Sequence, residues 1–421
     1  MPDRKRLPIL ILILVALFLA SYFILRAWQG THLLLSSPSR ENILRTIRLI
    51  PSSPDPYHRM SLFHEWEMKS IDPEESRKFL KEAIERNPFE QRYWLNLAQI
   101  LHLKGDRKGS EQALEKALSV FPTGYRGRWV SATLLLQQGA LDKALPHFTY
   151  ILSHYPNRSR LVYEISNRAI ADKDLLLEKL IPKDSSSIHR YIGYLCKIGD
   201  DELARKAWKK KVSYGFKSGR AETVRYIELL ISKGKLSEGF EVWKEALREE
   251  GLQIPSDRNL ISNGGFEHDK LLGGGFDWKI GKVKGAEVSF DSSVAHEGKR
   301  SLKIIFDGKE NVNFYHVYQY VPLRPETEYR LRTFVKSEKI TTRSGIKIEI
   351  VGIGQRLYSA SESVTGDNAW KELTLTFRTP AESQGGLVRV RREQTEKLDR
   401  FIAGRVWIDD FQLREKTQQG K

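Results

Sequence analysis

The chain has 421 residues, 40% apolar and 10% aromatic, which excludes a disordered polymer and allows two or three domains with cores of their own. Its formal charge of +16 is spread along the sequence rather than gathered in one tail; it permits nucleic acid, anionic lipid or an acidic polymer as partner and selects none of them. The only cysteine, Cys196, excludes a disulfide framework and a thiolate metal site.

The first element is an uncharged apolar run from Leu7 to Leu25. At about 1.5 Å per helical residue it spans nearly 30 Å, the thickness of a bilayer core. Arg4, Lys5 and Arg6 precede it and Arg26 follows it. The positive-inside rule then puts the N-terminus in the cytoplasm and the bulk of the chain in the periplasm or another extracytoplasmic space, although Arg26 weakens the bias. A cleaved signal peptide is the competing reading, but its apolar region is normally shorter and no good small-x-small cleavage site follows. Residues 1–30 therefore read as a cytoplasmic stub and single-pass membrane anchor. Residues 31–54, with Ser36-Ser37-Pro38-Ser39 and Pro51-Ser52-Ser53-Pro54 and a short amphipathic piece between them, read as a tether.

Residues 55–254 repeat. Pro88, Pro122 and Pro156 are 34 residues apart, as are Gly105 and Gly139. Between each glycine and the next proline, apolar residues recur at helical spacing: Leu114, Ala117 and Leu118, then Leu145, Phe148 and Ile151. The period and the paired helices resemble the tetratricopeptide repeat. Trp94 and Leu97 fall where that repeat places its Trp and Leu, and Ala144 and Phe148 where it places a small residue and an aromatic. Ser76, Leu80, Ala83 and Pro88 outline an earlier, weaker unit. Gly199, Ala204 and Trp208, then Gly234, Gly239, Trp243 and Ala246, outline two later ones. Residues 157–182 depart from the pattern, so the expectation is five units and a degenerate sixth. Stacked helix pairs leave a concave groove suited to a protein partner. The resemblance directs Arg92, Gln99, His102, Arg126, Trp129 and Gln137 into it. Trp129 also reads as core, because the family's Trp position falls one residue earlier.

From Asn259 the pattern changes to alternation of period two with turn residues between the runs. Ser301–Phe306, Asn313–Val321, Glu328–Ser337, Ile346–Ile353, Trp370–Arg378, Gly386–Arg392 and Arg405–Leu413 predict strands, with weaker ones near Asp277–Ile280 and Ala286–Asp291. The opening Asn-Leu-Ile-Ser-Asn-Gly-Gly-Phe-Glu (259–267) and the closing Trp407-Ile408-Asp409-Asp410-Phe411 resemble the β-sandwich of the family 4/9 carbohydrate-binding modules. On that resemblance residues 255–415 form the sandwich and 416–421 a tail. It also implies that the first and last strands lie side by side, with a structural calcium held there by Glu267 and Asp410. A hydrogen-bonded carboxylate pair without metal is the alternative.

Alternation separates two faces. Leu331, Thr333 and Val335 alternate with Arg330, Arg332, Phe334 and Lys336, and Val388 and Val390 with Arg389 and Arg391. Flat rings beside polar donors suit a sugar, whose C–H face packs on a ring while its hydroxyls form hydrogen bonds; arginines add contacts to carboxylates. The candidate carbohydrate-binding set is Tyr318, Tyr320, Arg330, Arg332, Phe334, Arg389 and Arg391. If their strands share a sheet, the exposed face joins cations to rings and favours an acidic polysaccharide. Outward arginines also serve as ordinary edge protection.

The motifs Gly-x-Ser-x-Gly, His-Glu-x-x-His and a glycine loop ending in Gly-Lys-Ser/Thr are absent. The resulting expectation is a multidomain chain: a transmembrane helix, an all-α tetratricopeptide-type solenoid and an all-β jelly-roll sandwich. Its function reads as a non-enzymatic, membrane-anchored scaffold, the repeats binding protein and the sandwich polysaccharide, by analogy in exopolysaccharide assembly or export. Nucleic acid is not an expected partner. A purely structural assembly protein and a glycan-active hydrolase are the rivals.

Overall fold

The computed structural model describes residues 6–36, 39–66, 72–217, 219–256 and 259–416; Arg4, Lys5, the Ser37-Pro38 pair and the tail beyond residue 416 lie outside them. The chain divides into two compact units, Met1–Ser187 and Ile188–Lys421.

The first unit opens with α1 (Arg6–Ser36), whose part from Pro8 is long and apolar enough to cross a membrane. The expected tether is corrected here. Helix α1 continues to Ser36, and α2 (Arg40–Leu49), capped by Ser39, packs back along it. The reason is apolar burial: Leu34, Ile43 and Met60 close a small core, and the Thr46 hydroxyl donates to the Gly30 carbonyl at 3.3 Å. The second serine-proline cluster forms the turn before α3.

Helix pairs follow: α3 (Asp55–Trp66) with α4 (Pro73–Arg86), α5 (Gln91–Leu103) with α6 (Arg107–Val120), and α7 (Tyr125–Gln137) with α8 (Leu141–His154). The repeating glycines have a direct cause. Gly105 and Gly139 sit at φ +79° and +77°, and the residue after each returns its N–H to a carbonyl five residues back, closing the first helix of the pair. The departure over 157–182 is real: α9 (Ser159–Ala169) is followed only by α10 (Lys173–Leu175) and a π turn, Leu176–Leu180. The boundary between the two units falls just beyond it.

Helix α11 (Ser185–Ile198) runs into the second unit, where it is followed by α12 (Asp201–Ser213), α13 (Arg220–Ser232) and α14 (Leu236–Glu249). The same unit contains two five-stranded antiparallel sheets packed as a jelly-roll sandwich. Sheet I has the order β1-β4-β9-β6-β7, from β1 (Lys279–Ile280), β4 (Phe314–Val321), β9 (Gly386–Arg392), β6 (Lys347–Gly352) and β7 (Tyr358–Ala360). Sheet II has the order β2-β3-β10-β5-β8, from β2 (Ala286–Asp291), β3 (Ser301–Asp307), β10 (Ala403–Glu415), β5 (Glu328–Ile340) and β8 (Gly366–Arg378). Alternate residues such as Val317, Leu331, Ile348, Val388 and Val406 fill the space between them. The opening motif lies beside the last strand: Leu260 donates to the Leu413 carbonyl at 2.9 Å, and Gly264 passes so close to the Phe411 carbonyl that a Cβ would sit 2.2 Å from its oxygen. Gln319 points inward and exchanges two bonds of 2.9 Å with the backbone of Ser262, fixing that segment to β4.

Candidate functional site

Strand register decides which side chains share a face. In sheet I, Lys279 lies opposite Tyr318, Tyr318 opposite Arg389, and Arg389 opposite Glu349. The next row joins Tyr320, Leu387, Val351 and Tyr358. All point away from the core, because Val317, Gln319, Val388 and Ile350 take the inward positions.

The floor of this face is charged and ordered. Glu349 is fully buried; its Oε1 is paired with the Arg389 guanidinium and lies 3.8 Å from Arg391, while Oε2 is buried with no hydrogen bond. Arg391 is held further by Asn313 and the Phe314 carbonyl. Lys347 reaches Glu393 at 3.2 Å and the Tyr358 hydroxyl at 3.4 Å. Tyr318 and Tyr320 meet edge to face at 5.8 Å, and Tyr358 is 58% exposed. Three rings thus border a row of oriented donors and acceptors.

The seven residues expected to bind carbohydrate do not form one surface. Tyr318, Tyr320, Arg389 and Arg391 lie together on sheet I, whereas Arg330, Arg332 and Phe334 lie on β5 in sheet II, on the opposite side of the core. There Arg330 pairs with Glu372 at 3.0 Å and Arg332 approaches Asp410 at 3.6 Å. Phe334 is half-buried, and the His296 ring stacks on one of its faces at 3.7 Å. Glu349, Tyr358, Lys279 and Lys347 complete the sheet I face without having been singled out in the sequence. The alternation of Lys347 and Glu349 with buried isoleucines was the available signal.

The carboxylates at the ends of the sandwich have different surroundings. Asp409 is fully buried and accepts the N–H groups of His296 at 2.8 Å, Glu297 at 3.2 Å and Asp410 at 2.8 Å. Burial raises its pKa, and those hydrogen bonds oppose the rise. Asp410 adopts φ 51° at a bulge in β10, and its Oδ1 accepts from the Gln412 amide at 2.8 Å. It lines one cavity of about 260 Å³ with Glu267, whose Oε1 accepts the Lys299 N–H at 2.9 Å. Asp410 Oδ2 is buried without a hydrogen bond, and an oxygen of Glu297 and a ring nitrogen of His296 stand within 4.8 Å of an Asp410 carboxylate oxygen. Arg332 Nη2 stands 3.6 Å from Asp410 Oδ2, so a hard cation such as calcium would share that oxygen with a guanidinium.

On the repeats, Arg92 and Arg126 are exposed, as is Gln137, while Gln99 and His102 are half-buried. Arg92 is engaged by Glu90 at 2.9 Å, and His102 faces the Gln138 amide at 3.2 Å. Trp129 is half-buried, stacked on Tyr125 at 5.9 Å and edge-on to Phe148 at 6.1 Å. The position 34 residues after Trp94 is Arg128. Its Nε donates to the Pro122 carbonyl at 3.0 Å, as the Trp94 Nε1 donates to the Pro88 carbonyl at 2.8 Å, so Arg128 takes over the tryptophan's bond. A recess of about 690 Å³ between α4, α5 and α6 is lined by Trp94, Leu97 and Ala113 and by none of the six expected groove residues.

Residues 258–396 match the family described as a carbohydrate binding domain, and residues 91–123 match the tetratricopeptide repeat. The chain joins helical repeats, one of which matches the tetratricopeptide repeat, to a β-sandwich that matches the carbohydrate binding domain family. Both matched types are binding or repeat modules. The chain is 24% identical over 168 residues to the tRNA(Glu)-specific nuclease WapA of Bacillus subtilis subsp. natto (strain BEST195), covering 38% of this chain and 7% of that protein. It is 23% identical over 168 residues to the tRNA nuclease WapA of Bacillus subtilis (strain 168), with the same coverage. The chain thus spans 7% of the length of these curated relatives. Among solved structures, a Family 16 Carbohydrate Binding Module-2 aligns with TM-score 0.27 and 21% identity over 37% of this chain and 99% of that one. A structure titled "CBM4 structure and function" aligns with TM-score 0.28 and 15% identity over 37% and 99%.

Proposed function

We propose that the protein is a non-enzymatic scaffold that holds polysaccharide on the outer face of sheet I and a protein partner along α5 and α7. The observation that carries this reading is the ring pair Tyr318 and Tyr320 beside Arg389 and the buried Glu349 carboxylate, with Tyr358 on the same face at the far edge strand. A sugar ring packs its C–H face on such rings while fixed charges orient its hydroxyls. The cations expected to favour an acidic polymer, Lys279, Lys347, Arg389 and Arg391, each have a carboxylate near them. Paired charges of this kind read hydroxyl groups in fixed directions and leave only a small positive excess, so both acidic and neutral chains suit the face. In this reading α1 anchors the chain in a membrane with its N-terminus cytoplasmic, and the remainder works outside the cytoplasm in assembling or exporting exopolysaccharide. A calcium ion held by Asp410, Glu297 and Glu267 stabilises the sandwich.

The test is a glycan array, carrying acidic and neutral polysaccharides, probed with the full chain in detergent. Tyr318→Ala should weaken binding to every retained glycan by about fivefold or more, as loss of a central aromatic contact does. Binding that is unchanged by Tyr318→Ala and Tyr358→Ala, or absent from the whole array, would overturn the reading.

A further inference from the structure

The outer face of sheet I does not end at its edge strand. Lys279, the outward residue of β1, is held by Glu228 of helix α13 at 2.7 Å. The same Glu228 oxygen accepts the Gly275 N–H at 2.8 Å. Both bonds fall on Oε1. Glu228 keeps a side chain 43% exposed, with Oε2 directed to neither partner. Tyr320, two residues along β4 from Tyr318, feels the same carboxylate: its pKa is raised, by burial first and then by Tyr318 and Glu228.

Helix α13 is fixed in that position over its length. Arg220 Nε donates to the Leu272 carbonyl at 2.9 Å near its start. In its middle, Val224 and Ile227 lie against Gly274 and Gly275. Beyond its end, Leu236 of α14 reaches Gly385, just before β9. Helix α13 therefore runs beside the β1 edge, and α14 beside the strand ends that carry Tyr320 and Leu387.

We infer that helix α13 supplies one end of the polysaccharide site, with Glu228 as a residue that contacts the sugar. This rests on the assignment of the sheet I face to polysaccharide. The chemistry is complementary. Glu228 Oε2 accepts from a sugar hydroxyl, the Lys279 ammonium donates to a neighbouring one, and Tyr318 stacks the adjoining ring. A polymer lying along the row from Glu349 through Arg389 and Tyr318 meets the helix at the β1 edge. The repeat arm then helps to select the glycan instead of only presenting the module that does.

The experiment uses the full chain in detergent, with affinity electrophoresis through gels containing polygalacturonate or a β-glucan. Glu228→Gln keeps the shape and an acceptor for the Gly275 N–H. It should raise the dissociation constant for the retarding glycan about tenfold, the value of a hydrogen bond to a charged group, while Tm stays within a few degrees of the parent. Carbodiimide labelling read by mass spectrometry separates contact from support: bound glycan should protect Glu228 and leave Glu241 of α14 labelled as before. Unchanged affinity and unchanged labelling of Glu228, with Tyr318→Ala still weakening binding, would overturn this inference and leave the sheet I assignment standing. A lower Tm with unchanged labelling would make Glu228 a structural pin and overturn it equally. A parent chain retarded by neither gel would remove the assignment and the inference together.

Discussion

Phe276 is the sharpest test of how the sandwich and the last helix pair depend on each other. It belongs to the loop Leu271–Trp278, which is held tight because Asp277 accepts the N–H groups of Leu271 at 2.9 Å and Leu272 at 3.1 Å. Phe276 is fully buried, with its ring 5.1 Å from Phe240 and 6.1 Å from Trp243, both on α14. A terminal repeat cannot bury its own apolar face, so this ring does what the next repeat would do. Phe276→Ala removes a buried aromatic whose loss costs about 3–5 kcal/mol. In a unit of some 150–250 residues each kcal/mol lowers Tm by about 2–4 °C, so a fall of about 6–20 °C is expected. Circular dichroism would show the helical signal melting ahead of the aromatic signal of the sandwich. Phe276→Leu, which keeps most of the volume, should recover most of the loss. A Phe276→Ala chain melting within 2 °C of the parent, in a single transition, would refute the reasoning.

Two further outcomes are expected. The His58 ring is kept neutral, its pKa lowered to about 4 by burial first and then by Arg92, with the Asn96 amide 3.0 Å from Nε2. Between pH 6.5 and 4 the unfolded chain takes up a proton that the folded chain refuses, so stability is full above that window and falls as pH drops through it. His58 contributes about 3 kcal/mol of that loss at most, and His58→Gln should remove this share in urea titrations, leaving the share of His147, whose pKa is also lowered to about 4 by burial and then by Arg128. A calcium ion at a hundred times its dissociation constant would add about 2.7 kcal/mol to the sandwich. Chelator should then lower the Tm of the parent and leave that of Asp410→Ala unmoved, and scanning calorimetry with and without calcium decides it.

The sequence was informative where a pattern is local. A spacing of 34 residues between prolines located the helix pairs, because each pair reuses the same turn chemistry at Gly105, Gly139, Gly199 and Gly234. Period-two alternation found the long strands for the same reason. It could not find β7, whose three residues are too few to alternate. Nor could it find strand order, which depends on crossovers. Glu349 faces Arg389 only because β6 and β9 become neighbours, and Arg332 leaves the proposed site only because β5 joins the other sheet. The serine-proline clusters around residues 31–54 resembled a tether because capping residues and linker residues have the same composition. What distinguished them was a partner, the Leu34, Ile43 and Met60 core.

The fit between the last helix pair and the sandwich is too close for a generic connection. At Gly275, with φ +58°, a side chain would press within 2.9 Å of Ile227 and 3.2 Å of Trp243. At Gly385, on a different loop, it would meet Leu236 at 2.5 Å. Two loops of the sandwich thus give up their side chains at the points where α13 and α14 fill the space, and a third contact, Phe276, fills the hollow between Phe240 and Trp243. Both partners have shaped themselves to one arrangement, which a sandwich hung on a flexible linker would have no reason to do. A glycan on the sheet I face is therefore held in a fixed relation to α13, and the side chains of that helix belong to its surroundings as much as those of β1.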